Sequence, residues 1–217
     1  MTAPLRIYVI RHGDTAWSRS GQHTSRTDLP LTSVGECAAN ALQPLLDRIE
    51  FSNVYSSPSL RARWTCARAL PGSPMTTEPD LAEWDYGSYE GMRTLDIQSR
   101  RPGWNIWKDG CPGGEQPRTV AARANRFLAK ISMAGGCIAL FTHGHFGRLL
   151  ATSWIGARTL TGGHFVIGPA SIGILTFDQE LPPNRVIALW NQTPNQSHGE
   201  SVIAGYSEIV DASRPGW

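Results

Sequence analysis

Two short stretches constrain this chain more than any bulk property. Leu5 to Ile10 and Gly136 to Phe141 are each of strand length and almost wholly apolar. Such runs suit strands covered on both faces, as in a parallel sheet. Each ends abruptly in polar residues. The first leads into "RHGDT", Arg11 to Thr15, and the second into "THGH", Thr142 to His145. A turn accounts for the glycines but not for the arginine and the histidines.

Between and around these runs, strand and helix patterns alternate. Ser18 to Leu31 is polar, with glycine and proline, and reads as a long loop of the functional kind. Thr32 or Ser33 suits a helix cap, Ser33 having Glu36 three residues on. That helix is expected to reach about Arg48. Ser52 to Ser56 is a second strand, followed by Ser57-Pro58-Ser59 and a helix from Leu60 to Leu70 that Pro71-Gly72 ends. Leu81 to Gly91 has no period, and Trp104 to Glu115 is irregular and aromatic. Helices are expected over Thr94–Arg100, Arg118–Met133 and Phe146–Trp154, and a hairpin over Ile172–Phe177 and Val186–Trp190. The alternation predicts an α/β three-layer sandwich, a mostly parallel sheet flanked by helices on both faces. One domain would span residues 1–191, with 192–217 a loosely ordered tail.

The 217 residues carry a net charge of +2 and no block of like charge, which favours neither a nucleic-acid groove nor an acidic tail. No apolar run reaches the roughly 18 residues of a membrane helix. The N-terminus lacks the pattern of a signal peptide. The four cysteines, Cys37, Cys66, Cys111 and Cys137, fit no zinc spacing and read as reduced thiols in a cytoplasmic protein.

In sheets of this kind ligands sit beyond the carboxyl ends of strands. "RHGD", "THGH" and "SSPSLRAR" all lie there, so one rim would gather Arg11, His12, Arg61, Arg63, His143 and His145, with Glu83 from the aromatic loop. Histidines with arginines and one carboxylate make a cationic pocket with a proton donor. A phosphoryl group suits it, because guanidinium groups match phosphate oxygens and keep their charge. A neutral imidazole whose far nitrogen is held can act as nucleophile. A carboxylic acid with its pKa raised by a partly apolar loop can protonate the leaving oxygen.

"RHGDT" at 11–15, "SSPSLRARWT" at 56–65, "LAEWDYGSYEG" at 81–91 and "THGH" at 142–145 together resemble the histidine phosphatase superfamily, the phosphoglycerate-mutase-like family. "SRSGQHTSRTDLPLT" and "WNIWKDGC" are similar to the branch holding sedoheptulose-1,7-bisphosphatase. The resemblance implies phosphomonoester hydrolysis through a phosphohistidine on His12. Arg11, Arg61 and His143 would bind the transferring group, and Glu83 would protonate the leaving oxygen and then assist water. Ser18 stands where many relatives carry an asparagine on the phosphate. Thr24, Ser25, Gly144 and Tyr86 would contact substrate, and the Gly13 backbone would orient His12. No metal or cofactor is implied, and the partner is a small phosphorylated metabolite, a sugar phosphate or bisphosphate.

Other readings have less behind them. Mutases of the family carry a lysine after the Tyr-Gly pair, where this chain has "SYEGMRT". A two-metal phosphoesterase needs more acidic ligands than these motifs hold. Cys66 in "WTCARAL" has no glycine-rich loop for thiolate chemistry. A non-catalytic phospholigand-binding protein on the same fold would be expected to lack His12 or Glu83.

Overall fold

The computed structural model describes residues 4–178 and 180–194. Its six-stranded sheet has the order β3-β2-β4-β1-β5-β6. β1 (Arg6–Arg11), β2 (Phe51–Ser56), β3 (Thr76–Thr77) and β4 (Cys137–Thr142) run parallel. β5 (Ile172–Phe177) lies antiparallel to β1, and β6 (Arg185–Gln192) closes the expected hairpin on β5. The helices are α1 (Ala16–Ser20), α2 (Ser33–Asn40), α3 (Gln43–Leu46), α4 (Leu60–Ala69), α5 (Thr94–Arg100), α6 (Ile106–Asp109), α7 (Pro117–Ile131) and α8 (Gly144–Trp154).

Strand periodicity builds the layers. Along β1 and β4, Ile7, Val9, Ile138 and Leu140 face one core, which α7 and α8 complete through Phe127, Phe146, Leu149 and Leu150. The alternate residues Tyr8, Ile10, Ala139 and Phe141 face the other, with Leu42, Leu46 and Cys66 from α2–α4 and the residues joining them. Because successive side chains point to opposite faces, a strand buried on both sides must be apolar throughout. Each buried Val, Leu, Ile or Phe among them contributes roughly 1.5–3 kcal/mol.

The expected helix from 33 to 48 is two helices. α2 stops at Asn40 and α3 begins at Gln43. Pro44 has no N–H to give the Asn40 carbonyl, so the ladder breaks there. Thr32, not Ser33, is the cap, its Oγ1 accepting from Gly35 N at 3.1 Å. The expected loop from 18 to 31 begins with the last turn of α1. Thr15 and Ser18 cap α1 reciprocally, each side chain accepting from the other's amide. The aromatic segment from Trp104 contains one turn of helix, capped by Asn105. The expected boundary at 191 falls near the end of β6, which runs to Gln192. The expected tail beyond residue 194 lies outside the described residues. All four cysteines are free.

Candidate active site

The register of three parallel strands assembles the site. Arg11 pairs with Thr142, and Ser56 with Phe141. The next residues, His12, His143 and Ser57, therefore leave the sheet side by side. His12 N donates to Thr142 O at 3.0 Å and Ser57 N to Phe141 O at 2.9 Å. The two imidazole rings lie 5.1 Å apart, edge to face.

His12 has one defined tautomer. Its Nδ1 lies 2.7 Å from the Gly13 carbonyl, which can only accept, so Nδ1 carries the proton. Burial pushes the His12 pKa well below the ordinary histidine value, and the Arg61 and Arg11 charges push it further. The ring is thus neutral at pH 7, with the Nε2 lone pair free. The turn that follows is tightly packed. Gly13 N donates to Thr65 Oγ1 at 3.0 Å. A Cβ on Gly13 would meet Gly35 O at 2.4 Å, and one on Gly35 would meet Asp14 O at 2.2 Å. Asp14 accepts from Ser18 Oγ through its side chain, and from Thr32 N through its carbonyl.

The arginines are held by carbonyls. Arg11 Nη1 donates to Ile167 O at 2.7 Å. Arg61, fully buried, donates from Nη1 to Thr27 O and from Nη2 to Thr24 O and Ser25 O. These bonds leave Arg11 Nε, Arg61 Nε and His143 Nδ1 buried without a partner. His143 Nε2 meets Ser57 Oγ at 2.7 Å. Burial, then Arg61, His12 and Arg11, hold its pKa well below the ordinary value. Two guanidinium groups and a neutral imidazole with spare buried nitrogens fit a tetrahedral oxyanion, because buried donors left unpaired are costly.

Glu83 completes the group. Its Oε1 accepts from Trp84 N and Phe146 N, each at 2.8 Å, and its Oε2 from His145 N at 3.1 Å. Two of these amides open α8, so a side chain from a distant loop caps that helix. Asp85 and Glu90, the other acids of the same loop, are engaged elsewhere. Asp85 pairs with Arg26, and Glu90 accepts from Ser25 N, Ser25 Oγ and Thr27 N.

A cavity of about 360 Å³ opens here, lined by Arg11, His12, Ser18, Thr24, Glu83, Tyr86 and Gly144 among others. Arg61 and His143 sit buried beside it. Ser18 reaches its wall, but its hydroxyl is committed to Asp14 and the Thr15 backbone. Ser25 does not reach it. Its hydroxyl is held by Glu90, and the residue lines a separate cavity of about 550 Å³ on the other side of Glu83. Arg63 is exposed on α4, away from the group.

Sequence reasoning passed over Ser57 and Arg148. The signal for Ser57 was its place, one residue past a strand end like His12 and His143. Arg148 follows His145 by one helical step of three and lines the same cavity wall. There Tyr86 Oη lies 2.7 Å from His145 Nδ1, and His23 stacks on Tyr86 at 4.6 Å. The Tyr86 hydroxyl is held protonated by burial, with the Glu83 charge adding to it. Tyr86 and the His145 ring, kept neutral by burial, share one hydrogen bond through Nδ1. Among the described residues no group of three or more His, Cys, Asp or Glu is set to hold a metal ion. No helix among them is long and apolar enough to cross a membrane.

The family model of the histidine phosphatase superfamily, branch 1, matches residues 7–193. The chain belongs to that superfamily. Within it, the chain is 35% identical to an acid phosphatase of Mycobacterium tuberculosis, over 92% of this chain and 97% of the relative. It is 36% identical to sedoheptulose 1,7-bisphosphatase of Saccharomyces cerevisiae, over 70% of this chain and 68% of the relative. A solved structure of an open reading frame product from Mycobacterium tuberculosis superposes with a TM-score of 0.82 at 36% identity, covering 88% of this chain and 98% of that one. Phosphohistidine chemistry is general to histidine phosphatases, and this chain is a phosphatase of that kind.

Proposed function

We propose that this histidine phosphatase hydrolyses a small phosphorylated metabolite, a sugar phosphate or bisphosphate, with His12 as the nucleophile. The observation that carries the assignment is the pairing of a neutral His12, its Nε2 free, with the spare buried nitrogens of Arg11, Arg61 and His143. Nε2 attacks phosphorus as the ester P–O bond breaks, and Glu83 passes a proton from the bound phosphate monoanion to the leaving oxygen. With Ser57 Oγ donating to His143 Nε2, the proton of that ring sits on Nδ1, and it and the arginines take up charge on the equatorial oxygens. Because Nδ1 keeps its proton on Gly13 O, the phosphorylated ring is a cation. In the second step it leaves as neutral imidazole. Water, deprotonated by Glu83, attacks phosphorus, the P–N bond breaks and phosphate is released.

The cavity beyond the phosphoryl group supports a hydroxylated substrate. Gln22, His23, Thr24, Thr94 and Tyr86 offer polar groups around it, and Arg148 places a second cation on its wall. That cation suits a substrate with a further anionic group. The relatives' names, acid phosphatase and sedoheptulose 1,7-bisphosphatase, span broad and narrow versions of this reading.

A panel of phosphorylated metabolites, assayed with and without chelator, tests it. Sugar phosphates and bisphosphates should be turned over at rates indifferent to chelator. Preference for phosphodiesters, or loss of activity with chelator, would overturn it.

A further inference from the structure

The loop that carries Glu83 is held by one pair of charged residues outside the cavity of His12. Arg123, on the inner side of α7, donates from Nη1 to the carbonyls of Asp80 at 2.8 Å and Ala82 at 2.7 Å, and from Nη2 to that of Glu83 at 3.3 Å. Its remaining donors meet Glu115, Nε on Oε1 at 3.1 Å and Nη2 on Oε2 at 2.8 Å. Glu115 Oε2 also accepts from Asp85 N at 3.0 Å. The Glu115 backbone accepts from Trp84 Nε1 and donates to Asp85 O. The main chain is thus gripped at residues 80, 82, 83 and 85, on both sides of the carboxylate.

Arg123 also reaches the other end of Glu83. The Arg123 guanidinium stacks 4.4 Å over the ring of Phe146, whose amide donates to Glu83 Oε1. Backbone and acceptor atoms of Glu83 are therefore referred to one rigid group. Only the planar five-donor fork of arginine serves three carbonyls and a carboxylate at once; a lysine ammonium has three donors on one atom.

We propose that Arg123 and Glu115 form a clamp that positions Glu83 for proton transfer to the leaving oxygen. Neither touches the phosphoryl group, so both are positioning residues. The proposal rests on Glu83 being the proton donor. A clamp on the donor predicts a loss that depends on the leaving group, because esters of acidic alcohols need little protonation. A merely structural pair predicts equal losses for all esters.

The experiment compares Arg123→Lys, Glu115→Gln and Glu83→Gln with the unaltered enzyme. Each is assayed on an aryl phosphate with a good leaving group and on a sugar phosphate, and inhibition by inorganic phosphate is measured. A shift of the donor by about 1 Å should cost the sugar phosphate on the order of tenfold to a hundredfold in kcat/KM. The aryl ester should lose far less, and the phosphate inhibition constant should hold. Equal losses for both esters in Arg123→Lys and Glu115→Gln overturn the clamp, as does a phosphate constant that weakens in step with them. If those two fail while Glu83→Gln shows the leaving-group dependence, the clamp alone falls. If Glu83→Gln lacks it too, the assignment of the donor falls with it. Glu115→Gln preserves shape and keeps the test open if Arg123→Lys folds poorly.

Discussion

The His12 ring is neutral with Nε2 free, as the proposed nucleophile requires. The Gly13 carbonyl takes the Nδ1 proton, and burial beside two arginines keeps the ring neutral. That arrangement depends on a close approach between Gly13 and Gly35, which leaves no room for a methyl group on either. Gly35→Ala should therefore displace the 13–15 turn, at a cost of about 1–3 kcal/mol in stability. It should lower kcat although Gly35 touches no substrate; a urea midpoint and a turnover number check both. The polar order "RHGDT" was legible as a site from its place after a strand. Asp14 had no assigned purpose at that level. Its contacts to Ser18 and Thr32 come from segments whose approach only the folded chain defines.

At the scale of elements, the loop before α2 acts as a bracket for Arg61. The carbonyls of Thr24, Ser25 and Thr27 hold the guanidinium, and Glu90 holds the loop through Ser25 and Thr27. Burial by itself would raise the Glu90 pKa, but the bonds from Ser25 and Thr27 outweigh it and hold the carboxyl low. Glu90→Gln puts an amide N–H against those donors. A lost charge-assisted bond of about 1.5–3 kcal/mol should weaken inhibition by inorganic phosphate roughly tenfold or more. Aryl and sugar phosphates should slow alike, opposite to the pattern expected for Arg123. Retained phosphate affinity would show that Arg61 keeps its place without the bracket. The bounds of α4, α5 and α7 were legible to within a residue or two. The break between α2 and α3 lay in one proline, and β3, two residues long, carries no period to read.

The whole molecule carries a pH signature. Burial lowers the pKa of His12, His143 and His145 well below the ordinary value and that of His23 to about 4. Neighbouring arginines add to the effect at the first three. In the unfolded chain these histidines titrate near pH 6.5. Below that pH the unfolded state binds protons that the folded state refuses, so stability falls as pH falls. Each histidine contributes up to about 1.4 kcal/mol per pH unit, and the His23 share stops growing near pH 4. Urea midpoints between pH 8 and 5 should be flat above about 6.5 and drop steadily below it. A flat profile down to pH 5 would contradict neutral burial of the site. The two-faced sheet and its rim were legible because periodicity and strand order are written locally. The Arg148 wall was not, because it depends on which face of α8 meets the cavity.

The central claim is that phosphate passes through His12 Nε2. Its most direct test is a rapid quench under alkaline denaturing conditions, followed by peptide mass spectrometry during turnover of a sugar phosphate. The account predicts one phosphoryl group on the peptide carrying His12, labile to acid and absent from His12→Ala, which should also lack turnover. A phosphoryl group on another residue, or turnover that persists in His12→Ala, would contradict it.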